Sequence, residues 1–345
     1  MTDTTSNAVR VALIDTANLF KVKSNNITVS QNGVPCGGIV GVGHAVETLR
    51  DQGYYVIACL EGKNSTRRRR LLEPSYKIKR WKAKGDAVNE THEVDPTDAQ
   101  WQWKAVVNLL ILMRVPLVYS QGKEADDIIA YLTHCATRTV DNIEIRIISN
   151  DSDYFQLLSP DKNVTMSSPM QIPTILTFEA VKAKTTYDPR NTVWYKVLAG
   201  DKADCVRGVP GIGDKTVKTF LCEHATTPID SLHSLIKTVK AQDTKMFAKI
   251  QAFENSGGDL ERLYRIFSLE LFDIVEGMNI KVVLADNKAA TSDVVQWFRK
   301  YHVSIHPAAH RYSTTLNGFH GQFTEIFPML ETSLCEPLHT PVVSG

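Results

Sequence analysis

Short apolar segments alternate with amphipathic segments over the first 150 residues. Four of the apolar segments are β-branched and predict buried strands, at 9–15, 54–61, 115–120 and 143–149. Three intervening segments have apolar residues at helical spacing, at 43–53, 99–114 and 124–137. Strands that alternate with helices predict an α/β fold, with a mainly parallel twisted sheet and helices on both faces.

The pattern changes in the second half of the chain. Helical spacing dominates from Phe178 onward, which predicts a smaller helical portion. We therefore predict an α/β core at 1–200, a helical portion at 201–300 and a C-terminal extension at 301–345. The first part of the extension has no clear period and carries four of the ten histidines, and we assign it no role.

Composition excludes several classes of protein. Hydrophobic content of 43% and charged content of 22% are ordinary for a globular protein. The first residues lack the pattern of a signal peptide, and no apolar run approaches the roughly 20 residues of a membrane span. We expect a cytoplasmic protein with no membrane partner. The six cysteines include no C-x-x-C pair, which argues against a zinc ribbon or a disulfide framework.

Although the net charge is only +1, one segment of the chain is strongly basic. Residues 63–84 contain ten Lys or Arg against one acid, Glu73. Tyr76 and Trp81 are interleaved with these cations, so the segment can bind a phosphate backbone by charge and stack on exposed bases. The alternative is a charged helix face that only contacts solvent.

The glycine-rich stretch VRGVPGIGDKT, at 206–216, suggests phosphate binding. A P-loop would need Lys at position 214, where the chain has Asp214, so the nucleotide-binding alternative, an NTPase, is disfavoured. The remaining interpretation is a turn between helix-like segments at 194–206 and 214–224. Free amides in such a turn can bind a nucleic-acid phosphate. The alternative is a tight helix corner whose glycines only permit close packing.

Acidic residues recur at the ends of the predicted strands and just before the glycine turn. Ligands of open parallel sheets bind outside the carboxyl ends of the strands. The acids in these places are Asp15, Glu61, Glu124, Asp126, Asp127, Asp151, Asp153, Asp201 and Asp204. Each one alone is explained as a helix cap or a first-turn charge.

Together, these carboxylates need a counter-charge if they converge. Two unit charges about 4 Å apart repel by roughly 4 kcal/mol at an effective dielectric constant near 20. Because the donors are all oxygen, the expected ions are Mg²⁺ or Mn²⁺. Two such ions about 3.5 to 4 Å apart suit the hydrolysis of phosphodiesters.

Four motifs in this order resemble the 5′ nuclease or flap endonuclease family, especially its bacteriophage-type 5′ to 3′ exonucleases. They are LIDTANLF around Asp15, GKEADDIIAYL, IISNDSDYFQLL and LAGDKADCVRGVPGIGDKTV. The resemblance covers roughly residues 9–225. It implies a PIN-like core, a helical arch at about 63–100 that admits a 5′ single strand, and a helix-three-turn-helix motif.

The resemblance also implies roles for individual residues. Asp15, Glu61, Glu124, Asp126, Asp127 and Asp151 would form or support the catalytic metal site, and Asp153, Asp201 and Asp204 a second site. Lys77 and Arg80 would act on the scissile phosphate. The residues expected to contact DNA are Arg67, Arg68, Arg69, Arg70, Tyr76, Gly208, Gly211, Gly213, Lys215 and Lys218. Since the family usually has Asp where this chain has Glu61, the extra methylene would change the metal geometry there.

The implied function is a two-metal-ion phosphodiesterase that removes primers or flaps during replication. It would use Mg²⁺, with Mn²⁺ as a substitute and K⁺ at the helix-three-turn-helix motif. Its substrates would be DNA with a 5′ flap, a 5′ overhang or a nick, and RNA-DNA hybrids. We expect a monomer that meets replication proteins in a bacterial or phage-infected cell. The alternative is a non-catalytic protein of the same fold that binds DNA junctions.

Overall fold

The computed structural model describes residues 8–25, 35–79, 99–269, 280–284 and 332–334. Its strands are β1 (Val9–Asp15), β2 (Tyr55–Cys59), β3 (Leu117–Ser120), β4 (Ile143–Ile148), β5 (Val164–Ser167), β6 (Gly200–Asp201), β7 (Val206–Arg207), β8 (Ile280–Leu284) and β9 (Thr332–Leu334). Its α-helices are α1 (Thr16–Ser24), α2 (Gly37–Asp51), α3 (Arg67–Leu72), α4 (Ala99–Leu112), α5 (Ala125–Thr139), α6 (Phe178–Thr185), α7 (Thr192–Ala199), α8 (Asp214–His224), α9 (Leu232–Gln242), α10 (Thr244–Asn255) and α11 (Leu260–Phe267). Two short 3-10 helices cover Ser152–Leu157 and Pro189–Asn191.

Seven of these strands form one sheet in the order β5-β4-β1-β2-β3-β8-β9. The pairs among β1 to β5 are parallel, and β8 joins β3 in the antiparallel sense. The carboxyl ends of β1, β2 and β4 therefore lie side by side at one edge of the sheet. This confirms the predicted mainly parallel α/β fold.

Alternation along β1 explains why helices cover both faces of the sheet. Val11 and Leu13 pack with residues of α5 and α6 on one face. Ala12 and Ile14 pack with residues of α1, α2 and α4 on the other. Successive side chains of a strand point to opposite faces, so a strand that is apolar at every position is buried on both.

The later helices pack into a separate apolar cluster, which contains residues of α7 to α11. The rings of Trp194 on α7 and Tyr264 on α11 stack with centroids 4.6 Å apart. Both residues are buried, so the contact fixes α11 against α7. Tyr76, from the basic segment, is buried in the same cluster.

The structure corrects several predictions made from the sequence. The helix-like segment expected over 194–206 ends at Ala199, and the chain continues into a hairpin of β6 and β7. The helix ends before Gly200 because this residue has a left-handed φ of 80°, which a right-handed helix cannot continue through. The range predicted as helical, 201–300, also contains β8, and the predicted extension contains β9. Within the described residues, no helix has the length and apolar character needed to cross a membrane.

Candidate metal and nucleic-acid site

Three acids occupy the carboxyl ends of adjacent strands. Asp15 ends β1, and its carboxylate accepts hydrogen bonds from the Asn18 amide at 3.0 Å and the Tyr154 hydroxyl at 3.1 Å. Burial raises the pKa of Asp15 to about 6, and the charges of Asp151 and Glu61 contribute to that rise. The charges of Asp151 and Glu61 thus act on Asp15, as expected for acids at the carboxyl ends of parallel strands.

A second group of acids lies at the start of α5 and faces the basic segment. The Arg69 guanidinium contacts Glu124, and it lies 3.1 Å from Asp126 and 3.0 Å from Asp127. The Lys77 ammonium lies 2.5 Å from a Glu124 oxygen. Arg69 is only 3% exposed, so its charge is balanced by these carboxylates rather than by solvent.

The pKa values of Glu124 and Asp126, in this second group, are shifted in opposite directions. Burial alone would raise the pKa of Glu124, but the charges of Arg69 and Lys77 lower it to about 2. Burial, with the neighbouring charges of Asp127 and Glu124, raises the pKa of Asp126 to about 8 despite Arg69. Negative charge at Asp126 is therefore only partly balanced by the protein.

The third group of acids surrounds Lys196, a residue that the sequence analysis missed. Its ammonium contacts Asp153 and lies 2.8 Å from an Asp201 oxygen. The other Asp201 oxygen accepts the amide hydrogen of Asp204 at 3.1 Å. Burial raises the pKa of Asp153 to about 6, against the charge of Lys196. The sequence does contain a feature that could have identified Lys196: it is a cation one helical turn before the GDKAD motif.

The three groups adjoin one another. The backbone amide of Lys77 donates to the Asp204 carbonyl at 2.8 Å, which joins the second group to the third. The charge of Asp151 raises the pKa of Asp153, although burial has the larger effect, and this links the first group to the third. The structure therefore brings the nine predicted acids to one end of the sheet.

The donor atoms suit a hard divalent ion. In the part of the chain that the structure describes, no set of three or more His, Cys, Asp or Glu side chains stands in metal-holding geometry. Nevertheless, burial raises the pKa of Asp15, Asp126 and Asp153, so these carboxylates would gain from added positive charge. Carboxylate oxygens with this property fit Mg²⁺ or Mn²⁺.

The basic segment differs from its prediction at two residues. Tyr76 was expected to stack on DNA bases, but the residue is only 2% exposed and its hydroxyl donates to Glu124 at 3.0 Å. Arg69 was expected to contact DNA, but it is buried among the acids. Both predictions are wrong, because the charge pattern could not show that the acids of α5 face this segment.

The other cations of the segment have different surroundings. Arg67 is exposed, and the Arg68 guanidinium lies 3.0 Å from Asp127. Arg70 is partly exposed. Arg80, predicted to act on the scissile phosphate, lies outside the described residues, as does the rest of the predicted arch between residues 80 and 98.

The glycine turn connects the β6–β7 hairpin to α8. Gly208 packs so closely on Gly200 that an added Cβ would lie 2.4 Å from the Gly200 nitrogen. Gly211 has a left-handed φ of 78°, and its carbonyl accepts a hydrogen bond from Lys249 at 2.8 Å. Gly213 has no such constraint and caps the amino terminus of α8.

Exposed cations follow this turn. Lys215 and Lys218 lie on the first turns of α8, and both are exposed. A helix amino terminus presents unpaired amides and a partial positive charge, to which these ammonium groups add. The turn therefore has the properties of a phosphate-binding surface.

Comparison with known proteins connects these features to a family. Residues 10–187, more than half of the chain, match the family model for the 5′-3′ exonuclease N-terminal resolvase-like domain. The 5′-3′ exonuclease of Aquifex aeolicus is 29% identical over 255 residues, which cover 73% of this chain and 79% of that protein. The thermostable DNA polymerase I of Thermus filiformis is 28% identical over 246 residues, and this chain spans only 27% of its length.

Solved structures agree on the fold. The T5 5′-exonuclease with bound zinc matches with a TM-score of 0.54 at 20% identity, over 75% of this chain and 88% of that one. The flap endonuclease-1 of Methanococcus jannaschii matches with a TM-score of 0.50 at 13% identity, over 94% of each chain. With its motifs, its sheet and its converging acids, this chain belongs to the 5′-3′ exonuclease family.

Proposed function

We propose that this protein is a divalent-metal-dependent 5′ to 3′ exonuclease and 5′ flap endonuclease. The observation that carries the proposal is the convergence of nine acids at one end of the sheet, in a chain that matches the family over residues 10–187. The proposed substrates are DNA with a 5′ flap, overhang or nick, and RNA-DNA hybrids. We further propose that the protein acts as a monomer in the cytoplasm and removes primers or flaps during replication.

The three groups of acids are proposed to form two sites for Mg²⁺ ions, for which Mn²⁺ can substitute. Asp15, Glu61 and Asp151, with Glu124, Asp126 and Asp127, would form the first site, and Asp153, Asp201 and Asp204 the second. When bound, the ions would activate water and stabilise the charge that develops on the phosphate.

Two lysines complete the electrostatics of the proposed site. Lys77 contacts Glu124 through its ammonium and the Asp204 carbonyl through its backbone amide, so it links the second group of acids to the third. We assign it to the scissile phosphate, whose negative charge it would neutralise. Lys196 contacts Asp153 and Asp201. Arg80 is proposed to assist Lys77.

The glycine turn is proposed to bind duplex DNA on one side of the cut. Gly208, Gly211 and Gly213 shape the turn, and Lys215 and Lys218 add charge. Because these contacts reach phosphates rather than base edges, the enzyme should have little sequence preference. A K⁺ ion is the proposed additional ligand of the turn. Arg67, Arg68 and Arg70 are proposed to attract the 5′ strand.

The test is cleavage of a 5′-labelled flap oligonucleotide with Mg²⁺ and with EDTA. We expect cuts near the junction with Mg²⁺ and none with EDTA. Asp151→Ala should abolish cleavage, because it removes a proposed metal ligand beyond the carboxyl end of β4. Since this acid is exposed, duplex binding measured by anisotropy should persist. Undiminished cleavage in EDTA would contradict the proposal. DNA binding without any cleavage by the wild-type protein would instead favour the non-catalytic junction-binding alternative.

A further inference from the structure

The carboxyl terminus of α11 makes contacts that neither the proposed chemistry nor the DNA contacts use. The last carbonyls of a helix have no partner within the helix and need donors from elsewhere. In α11, three consecutive carbonyls obtain them from other elements. The Arg265, Ile266 and Phe267 carbonyls accept hydrogen bonds from Arg68, Arg69 and Gln156, at 3.0, 3.0 and 3.1 Å.

Arg69 connects α11 to the acids at the start of α5. Its Nε donates to the Ile266 carbonyl, while its two terminal nitrogens contact Glu124, Asp126 and Asp127. The guanidinium is planar, so one end of its fork fixes the orientation of the other. The position of α11 therefore determines where this group of carboxylates is held.

Gln156 connects the same helix end to the third group of acids. Its amide nitrogen donates to the Asp153 carbonyl at 2.9 Å as well as to Phe267. Its amide oxygen accepts the Leu269 N–H at 2.9 Å. Gln156 thus ties the backbone of Asp153, within its 3-10 helix, to the residues that end α11.

Packing makes α11 a firm support for both connections. Leu260, Leu263 and Phe267 are buried, and Tyr264 stacks on Trp194 of α7. The same α7 carries Lys196, which contacts Asp153 and Asp201. The helix is therefore held by the core of the helical portion.

We infer that the carboxyl terminus of α11 is a common support for the two proposed metal sites, and that Arg69 and Gln156 are positioning residues. Neither residue has to touch a metal ion or the substrate for this role. The inference rests on the function proposed above, and it adds a requirement for a helix outside residues 10–187. Partners that orient metal ligands affect metal affinity by about 10- to 100-fold.

The experiment measures Mn²⁺ binding by the full chain without DNA, from the electron paramagnetic resonance signal of free Mn²⁺. Gln156→Leu removes the hydrogen bonds at similar volume and should raise the Kd for Mn²⁺ about tenfold. Arg69→Lys keeps the charge but cannot reach the acids and the Ile266 carbonyl together, so it should act in the same direction. Glu261→Gln is the matched control: it alters an exposed side chain of α11 and should leave the Kd unchanged.

A second measurement distinguishes positioning from general damage. The flap cleavage rate of Gln156→Leu should recover toward the wild-type rate at saturating Mg²⁺, whereas a collapsed site would stay slow at every concentration. Should Gln156→Leu fail to fold, Arg69→Lys decides the question. Wild-type Mn²⁺ affinity in the folded variants would overturn the inference and leave the proposed function intact. A wild-type protein that binds Mn²⁺ but cuts no flap would refute the proposed function alone.

Discussion

At the scale of single residues, the site contains buried carboxylates and cations that balance them unequally. Arg69 and Lys77 lower the pKa of Glu124 despite its burial. The Asp15 carboxylate instead accepts hydrogen bonds from an amide and two hydroxyls, and burial raises its pKa to about 6. Asp15 is therefore expected to destabilise the metal-free fold when ionised.

Asp15→Asn should stabilise the metal-free protein at pH 8. The raised pKa means that the folded chain binds a proton at Asp15 more tightly than the unfolded chain. Ionisation therefore costs stability as the pH rises from about 4 to 6, and the full cost remains above pH 6. We expect the substitution to raise the Tm by about 2 to 4 °C at pH 8 and by less at pH 4.5.

Scanning calorimetry in EDTA at the two pH values measures this difference. In excess Mg²⁺ the order should reverse, since only the wild-type protein has the complete proposed metal site. An equal change in Tm at both pH values would contradict the assigned pKa.

At the scale of elements, the glycine turn combines structural and binding roles in different glycines. Gly200 and Gly208 allow β6 and the residue after β7 to approach closely, and Gly211 adopts a left-handed conformation. Gly213 is exposed, has an extended φ and has no neighbour that a methyl group would meet. A requirement for glycine at 213 would therefore come from the DNA.

Gly213→Ala should separate binding from folding. Alanine at this cap position should change the free energy of unfolding by about 1 kcal/mol or less, yet it should weaken duplex binding by placing a methyl group against the phosphate. Anisotropy with a labelled duplex and urea unfolding measure the two effects. Gly208→Ala is the contrasting variant, expected to lose stability because its Cβ meets backbone at 2.4 Å. Unchanged duplex affinity in Gly213→Ala would show that no phosphate approaches there.

At the scale of the whole molecule, the net charge of +1 gives no reason to expect DNA binding. The distribution of charge does: acids gather at the carboxyl ends of the strands, and exposed lysines lie on α8. Binding should therefore depend on a few local phosphate contacts, each of which releases counterions and adds to the salt dependence.

Replacing both Lys215 and Lys218 by Gln should make duplex affinity less sensitive to salt. Two lost phosphate contacts predict that the slope of log K against log salt becomes shallower by about 2. The control is Lys162→Gln, which should leave the slope unchanged. Lys162 is an exposed lysine before β5, at the amino ends of the parallel strands and so at the end of the sheet opposite to the acids. Equal slopes in the wild type and the double variant would exclude these lysines from the DNA contacts.

The sequence by itself determined the sheet strands β1 to β4, their parallel arrangement and the identity of the acids. These follow from local patterns, because burial on both faces makes a strand apolar at every position, and acids must end strands that bind ions at their carboxyl ends. Strands β5, β8 and β9, which flank these four in the sheet, lacked so clear a pattern and were missed.

Only the tertiary structure decided which cations meet the acids. Arg69 and Tyr76 belong to a segment whose composition suggests an exposed surface, yet they are buried against α5 and the helical portion. The support from α11 likewise joins residues more than 100 positions apart, such as Gln156 and Phe267. Such contacts depend on how helices pack, and packing is set by the whole core rather than by any short stretch of sequence.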